Sequence, residues 1–310
     1  MTRALITGSS GFVGSYLTRS LIAKNWQVAG LDIRPGGNLE HFFQGELADK
    51  NIVTNALKEF EPDVIFHLAG LIKSNEPQEL YIANVQATVT LLEAAVESNL
   101  KPAITLASSS AVYGLGSGKK KISEKTKIRP VTHYAVSKAA QELVSLRYFG
   151  AGQLPVKIVR IFNLLGPGQS PALACSSFAH QIALAEKHGK DEIFTGNLDA
   201  LRDFVDVRDA VRAFEMIAEN GKAGEIYNVC SGDAVSLQEC LSEMLSQAHR
   251  QLIPKIEVGR VQQDDIPIQV GSFEKIKKAC GWNPEIFLKE SLNDLLNGWR
   301  ERVELNAESK

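Results

Sequence analysis

Tyr134 and Lys138 stand four residues apart in the stretch HYAVSK, downstream of three consecutive serines, Ser108, Ser109 and Ser110. The spacing of apolar residues predicts a helix over 134–149, and on it the phenol and the ammonium share one face. A cation held there favours phenolate over phenol and draws the tyrosine below its free pKa of about 10. Such a phenol exchanges a proton with a carbinol or carbonyl oxygen, which is the proton half of hydride chemistry. The competing reading is an ordinary surface pair on an amphipathic helix, so the rest of the chain must supply the hydride partner.

It does so near residue 1. Gly8, Gly11 and Gly14 are spaced G-x-x-G-x-x-G between an apolar run at 3–7 and a helical pattern at 12–24. A turn of this kind lets the backbone approach a pyrophosphate and aims helix N–H groups at its oxygens. Asp32 closes the next apolar run, 28–32, where a carboxylate accepts from adenosine ribose hydroxyls and repels a 2′-phosphate. The expected cofactor is NAD(H) or NADP(H), with NAD(H) favoured by Asp32. Arg34 softens that preference, and Asp32 also suits a strand-end turn.

The elements that must carry these groups alternate. Apolar runs at 64–68, 103–107 and 156–160 are separated by helical patterns at 81–98 and from 134 onward. Strands joined through helices form a parallel sheet covered on both faces. The fold class expected is α/β, a doubly wound parallel (Rossmann) sheet with a smaller C-terminal substrate-binding lobe. A dinucleotide-binding domain is expected over 1–165. After Asn163 the glycine and proline loop GPGQSP opens a second lobe, 166–310, and within it parts of 203–230 are expected to return to the first sheet.

Composition removes other classes of function. With 310 residues, 44% of them hydrophobic, and a net charge of −2, the chain has no nucleic-acid footprint. The basic run Lys119, Lys120, Lys121, Lys125, Lys127 and Arg129 suits a solvated loop beside Gly114, Gly116 and Gly118. Cys175, Cys230, Cys240 and Cys280 lack C-x-x-C spacing, so neither a disulfide framework nor a metal is expected, and a reducing cytoplasm fits. His67, within DVIFHLAG, is expected at the edge of the core rather than as a ligand. No signal peptide or membrane-spanning run is expected.

TGSSGFVG, HLAG, NVQAT, SSSAVYG, YAVSK and RIFNLLGPG, in that order, resemble the extended short-chain dehydrogenase/reductase superfamily of nucleotide-sugar enzymes. In the second half, GNLDALRDFVDVRDA, GEIYNVCSG and GWNPEIFLKESL are similar to GDP-6-deoxy-4-keto-mannose reductases. The resemblance implies that Ser109, Tyr134 and Lys138 form a catalytic trio. Ser109 is chosen because it stands four residues before Tyr113, and Ser110 is its rival. Phe12, Val13, Leu68 and Ala69 would join the glycines around the cofactor, and Ser110, Asn163 and Arg202 would meet substrate. For Arg202, whose guanidinium matches diphosphate oxygens, a salt bridge with Asp203 or Asp206 is the competitor.

The implied reaction is reduction of the 4-keto group of a GDP-linked 6-deoxyhexose, giving GDP-D-rhamnose, by a homodimer. A nucleotide-sugar 4-epimerase and a non-catalytic dinucleotide sensor are the alternatives. Ser110 and Ala111 replace the acidic residues that drive water elimination in related dehydratases. Gln262 stands where relatives carry a phosphate-binding arginine ahead of Asp265 and Pro267, with Arg260 close by. Leu164 replaces a histidine frequent in the reductases, and Thr132-His133 replaces the usual pair before the tyrosine.

Overall fold

The computed structural model describes residues 1–36, 39–115, 120–257 and 268–308. In chain order the first half runs β1 (Arg3–Thr7), α1 (Phe12–Ala23), β2 (Gln27–Asp32), β3 (His41–Gln44), α2 (Lys50–Phe60) and β4 (Val64–His67). Then come α3 (Pro77–Tyr81), a π-helical turn (Ile82–Gln86), α4 (Ala87–Glu97), β5 (Ala103–Ser109), a 3₁₀ turn (Ser110–Tyr113), α5 (His133–Gly150) and β6 (Val156–Ile161). The second half adds β7 (Asn163–Leu165), α6 (Ala174–His188), β8 (Glu192–Thr195), β9 (Leu201–Arg202), β10 (Phe204–Asp206), α7 (Val207–Asn220) and β11 (Ile226–Val229). It ends with β12 (Val235–Ser236), α8 (Leu237–Ser246), β13 (Ile253–Ile256), β14 (Ile268–Gln269), α9 (Glu274–Cys280) and α10 (Leu288–Glu308).

Seven strands form one sheet in the order β11-β6-β5-β4-β1-β2-β3. Every pairing in it is parallel. A parallel sheet is covered on both faces, which is why its inner strands are continuous apolar runs such as ALIT and VIFH rather than alternating ones. Residues of α2, α4 and α5, among them Leu57, Leu91 and Tyr148, cover one face. Leu17 and Leu21 of α1, Phe214 and Ile217 of α7, and Ile276 of α9 cover the other. The return of the chain to this sheet is made by β11, which pairs with β6 from Ile226 to Val229.

Two elements here were not anticipated from the sequence, although Val53, Ala56, Leu57 and Phe60 of α2 do follow helical spacing. The edge strand β3 has only four residues, HFFQ, with both ends exposed. The helix α2 is set by Asp49, whose carboxylate accepts from the Asn51 N–H. The single helix expected over 81–98 is instead α3, the π-helical turn and α4. The π-helical turn brings Asn84 inward and fully buries it, and such turns recur at functional sites. Its amide then clips the loop after β4 to α5: Oδ1 accepts from Leu71 N at 2.9 Å, and Nδ2 donates to Leu71 O and Ser137 Oγ, each at 2.9 Å.

A separate core formed by α6, α8 and α10, with Phe178, Ile182, Leu241, Leu295 and Trp299, underlies the second lobe. Short strand pairs edge it: β8 with β13, and β9 between β12 and β14. Among the described residues no helix is long and apolar enough to cross a membrane, and no cluster of three His, Cys, Asp or Glu could hold a metal.

Candidate active site

Strands β1 and β4 are neighbours, yet the chain leaves them toward opposite halves of the sheet, and a crevice opens beyond their C-terminal ends at such a switch point. The glycine turn lies in it. Gly8 has φ +75°, and a Cβ there would meet the Ala69 N at 2.8 Å. A Cβ on Gly14 would stand 2.1 Å from the Gly8 carbonyl oxygen, and one on Gly11 2.9 Å from the same atom. Only hydrogen fits at these positions, so the backbone itself forms the cradle, a shape suited to a dinucleotide pyrophosphate.

The cleft continues from this cradle to the second lobe as one cavity of about 1060 Å³. That is at the upper end of ligand cavities, roughly 300–1,000 Å³, and leaves room for two elongated ligands. Gly8, Gly11, Phe12, Val13, Gly14 and Leu68 line its cofactor end. Ala69 does something different from the expected ligand contact: its backbone packs on Gly8, and its N–H donates to Thr7 Oγ1 at 3.3 Å. Among the described lining residues are four cations, Arg34, Lys73, Lys138 and Arg202, and no Asp, Glu or His. A cleft of that charge suits polyanionic ligands.

Asp32 is a turn organiser. Its carboxylate accepts from the Ser10 N–H at 2.9 Å and the Arg34 N–H at 3.0 Å, and the Arg34 Nε lies 3.8 Å away. Arg34, rather than Asp32, forms the cleft wall at that point.

The trio comes from two elements. Thr132 caps α5 by accepting from Ala135 N at 3.1 Å, which starts the helix one residue before Tyr134 and turns Tyr134 and Lys138 into the cleft. Ser109 ends β5, accepts from Ala111 N at 3.2 Å, and is joined to Tyr134 by a side-chain hydrogen bond. Its rival Ser110 is buried and donates to Gln269 Oε1 at 3.2 Å, while Gln269 Nε2 donates to Ser110 O at 3.0 Å. Ser109 is thus the serine that meets the phenol.

The expected acidification of Tyr134 is not found. Burial pushes the phenol above its ordinary value of 10, and the Ser109 hydrogen bond only partly offsets this. Lys138 donates from Nζ to Gln141 Oε1 at 2.5 Å, and burial brings it from 10.5 down to about 8 against the opposing charge of Glu142. Desolvation at the base of the cleft dominates at both groups.

Behind the trio, Glu142 and Arg160 form a buried bidentate pair, with Nε to Oε1 at 2.8 Å and Nη2 to Oε2 at 2.6 Å. Ser108 Oγ donates to the same Oε1 at 2.5 Å, tying this pair to the residue before Ser109.

At the substrate end, Asn163 lines the cleft and donates from Nδ2 to Asp203 O at 3.0 Å. Arg202 lines it too, and the carboxylates expected to compete for it are engaged elsewhere. Asp203 accepts from Ser231 N, Ser231 Oγ, Gly232 N and Gly271 N. Asp206 accepts from Arg208 and from Ser291 Oγ. Phe194, Asn197, Lys73 and Gln269 also line the cleft without having been singled out in the sequence, because they reach it from distant segments. Arg260, Gln262, Asp265 and Pro267, and in the basic run Gly116, Gly118 and Lys119, lie outside the described residues.

A doubly wound sheet with a glycine cradle and a Ser-Tyr-Lys group at its carboxyl edge defines a dinucleotide-dependent redox enzyme. The chain belongs to the NAD dependent epimerase/dehydratase family, whose profile matches residues 4–230. It is 31% identical over 97% of its length to the GDP-6-deoxy-D-mannose reductase of Pseudomonas aeruginosa, 98% of which is covered. A solved structure of RMD from Pseudomonas aeruginosa complexed with NADPH superposes with a TM-score of 0.86 at 30% identity, covering 97% of this chain and 100% of that one. The UDP-glucose 4-epimerase of Thermus thermophilus in complex with NAD also gives 0.86, at 27% identity over 96% and 99%. The expected cofactor class, NAD(H) or NADP(H), is the one these neighbours hold, and the chain is a nucleotide-sugar-modifying enzyme of that class.

Proposed function

We propose that the protein reduces the 4-keto group of a GDP-linked 6-deoxyhexose, GDP-4-keto-6-deoxy-D-mannose, to GDP-D-rhamnose. The observation that carries this is the grouping of Ser109, Tyr134 and Lys138 in a cleft with four cations and, among the described lining residues, no carboxylate, in a chain 31% identical to a GDP-6-deoxy-D-mannose reductase. In reduction the Tyr134 phenol gives its proton once and the oxidised cofactor leaves, whereas an epimerase takes and returns the proton and regenerates its cofactor. Water elimination needs an acid and base beside the sugar, and neither Ser110 nor Ala111 supplies them.

Bound NADH or NADPH would supply the hydride. The glycine turn would hold its pyrophosphate, and Lys138 its nicotinamide ribose. Ser109 would donate to the carbonyl oxygen of the sugar, and Tyr134 would pass its proton to that oxygen as negative charge develops on it. Asn163 and Arg202 would hold the sugar diphosphate. In this reading the dinucleotide-binding portion is 1–165 with parts of 203–230, and the remainder of 166–310 serves the sugar nucleotide.

The side chains of Ile82, Val136 and Leu143 are exposed on the helical face formed by the π-helical turn and α5. A second copy of the chain is proposed to cover them, and a monomer mass in sedimentation would remove that element.

Arg34 should admit NADPH beside NADH. Replacing it by alanine removes a guanidinium that can meet a 2′-phosphate, so Arg34→Ala should lower kcat/KM with NADPH about tenfold or more while sparing NADH. An equal loss with both cofactors would show that Arg34 does not face the 2′ position.

The reaction is tested by supplying GDP-4-keto-6-deoxymannose with each reduced cofactor and following loss of absorbance. Oxidation of one cofactor per sugar is expected. Interconversion of UDP-glucose and UDP-galactose by protein that carries its own NAD would instead establish an epimerase.

A further inference from the structure

Beneath the cleft floor lies a closed set of side chains that the proposed reaction does not use. Thr7, His67, Thr88 and Gln141 are each at most 1% exposed. The donors and acceptors in this set can be counted. The Thr88 hydroxyl donates to Asn84 O at 2.7 Å. Gln141 Nε2 and His67 Nε2 each stand 2.7 Å from its oxygen and 3.3 Å from one another. On the other side of the imidazole, Nδ1 shares a hydrogen bond with Thr7 Oγ1 at 2.8 Å, and Thr7 Oγ1 also accepts from Ala69 N. His67 is the neutral imidazole. Burial and the charge of Lys138 hold it down to about 3, so it does not change state at ordinary pH.

The count leaves Gln141 one orientation. Its Nε2 must face Thr88, so its Oε1 faces Lys138, whose Nζ donates to it at 2.5 Å. A flipped amide would set oxygen against a committed hydroxyl and N–H against an ammonium. We propose that Gln141, oriented by Thr88 and His67, is a positioning residue that sets where the Lys138 ammonium points for the bound dinucleotide. This rests on the reading that Lys138 serves the cofactor ribose. The groups that bear on Lys138 electrostatically are His67 at the end of β4 and Glu142 on its own helix. Glu142 favours the ammonium, and neutral His67 adds no charge.

The test is NADH affinity of the intact protein by calorimetric titration from pH 6 to pH 10, which requires no sugar substrate. In the wild type, affinity should weaken as Lys138 loses its proton, with a midpoint at about 8. Gln141→Glu sets a carboxylate on the ammonium, keeps the shape, and should move the midpoint up by about one pH unit or more. Gln141→Leu removes the acceptor, should move the midpoint down, and should weaken binding about tenfold near neutral pH. Lys138→Met should abolish the pH dependence. If it does, but both Gln141 variants keep the wild-type midpoint and differ only in melting temperature, Gln141 is merely structural and the proposal fails. If Lys138→Met keeps the wild-type midpoint, the role of Lys138 itself fails, and the proposal with it.

Discussion

Tyr134→Phe should lower kcat by about 10²–10⁴-fold, because it removes the hydroxyl proposed to give its proton to the sugar oxygen. The ring and its packing remain, so NADH affinity and melting temperature should stay near wild type. The split between a collapsed kcat and an unchanged cofactor affinity identifies a group acting in the chemical step. Ser109→Ala should fall in the same direction by a smaller factor, since it removes a hydrogen bond to the reacting oxygen and the partner that offsets burial at the phenol. Near-normal turnover by the phenylalanine variant would remove Tyr134 from the mechanism.

The second large effect is on stability. Glu142→Ala leaves the Arg160 guanidinium buried without its bidentate partner and Ser108 Oγ without its acceptor. Breaking such a pair costs about 3–5 kcal/mol. For a chain of this length, that is a fall in Tm of roughly 5–8 °C. Arg160 also stacks over the Tyr113 ring at 4.7 Å, and Tyr113 OH donates to Asn228 Oδ1 at 2.7 Å, so the loss reaches from α5 through β6 to β11. Replacing both partners, Glu142→Met with Arg160→Met, should recover much of the loss, because no uncompensated charge stays buried. If the single variant melts like wild type, the buried pair is not what secures α5 against β6.

Features set by local chain geometry could be foreseen from the sequence. The glycine turn is one, since three glycines at fixed spacing after an apolar run leave a single way to turn. Tyr134 and Lys138 are another, as four residues on a helix bring them to one face; the choice of Ser109 over Ser110 rests on the family resemblance rather than on local geometry. What depends on burial or on distant segments was not foreseen. The raised phenol and the partner of Lys138 follow from desolvation and from Gln141, three residues on, whose orientation is set by His67 and Thr88 on other elements. Gln269 reaches Ser110 across 159 residues, so no local pattern signals it. Strand β3 is too short and exposed to show a period, and the extra residue that turns Asn84 inward leaves no mark in an otherwise helical pattern.

The central claim is hydride delivery to the sugar carbonyl with Tyr134 as proton donor. It is tested most directly by incubating wild type and Tyr134→Phe with GDP-4-keto-6-deoxymannose and NADH deuterated at the transferring carbon, then locating the label in the product. The account predicts one deuterium at C4 of GDP-D-rhamnose, one NADH consumed per product formed, and product formation suppressed by orders of magnitude in the variant. A product without label at C4, or equal labelling rates in both proteins, would contradict it.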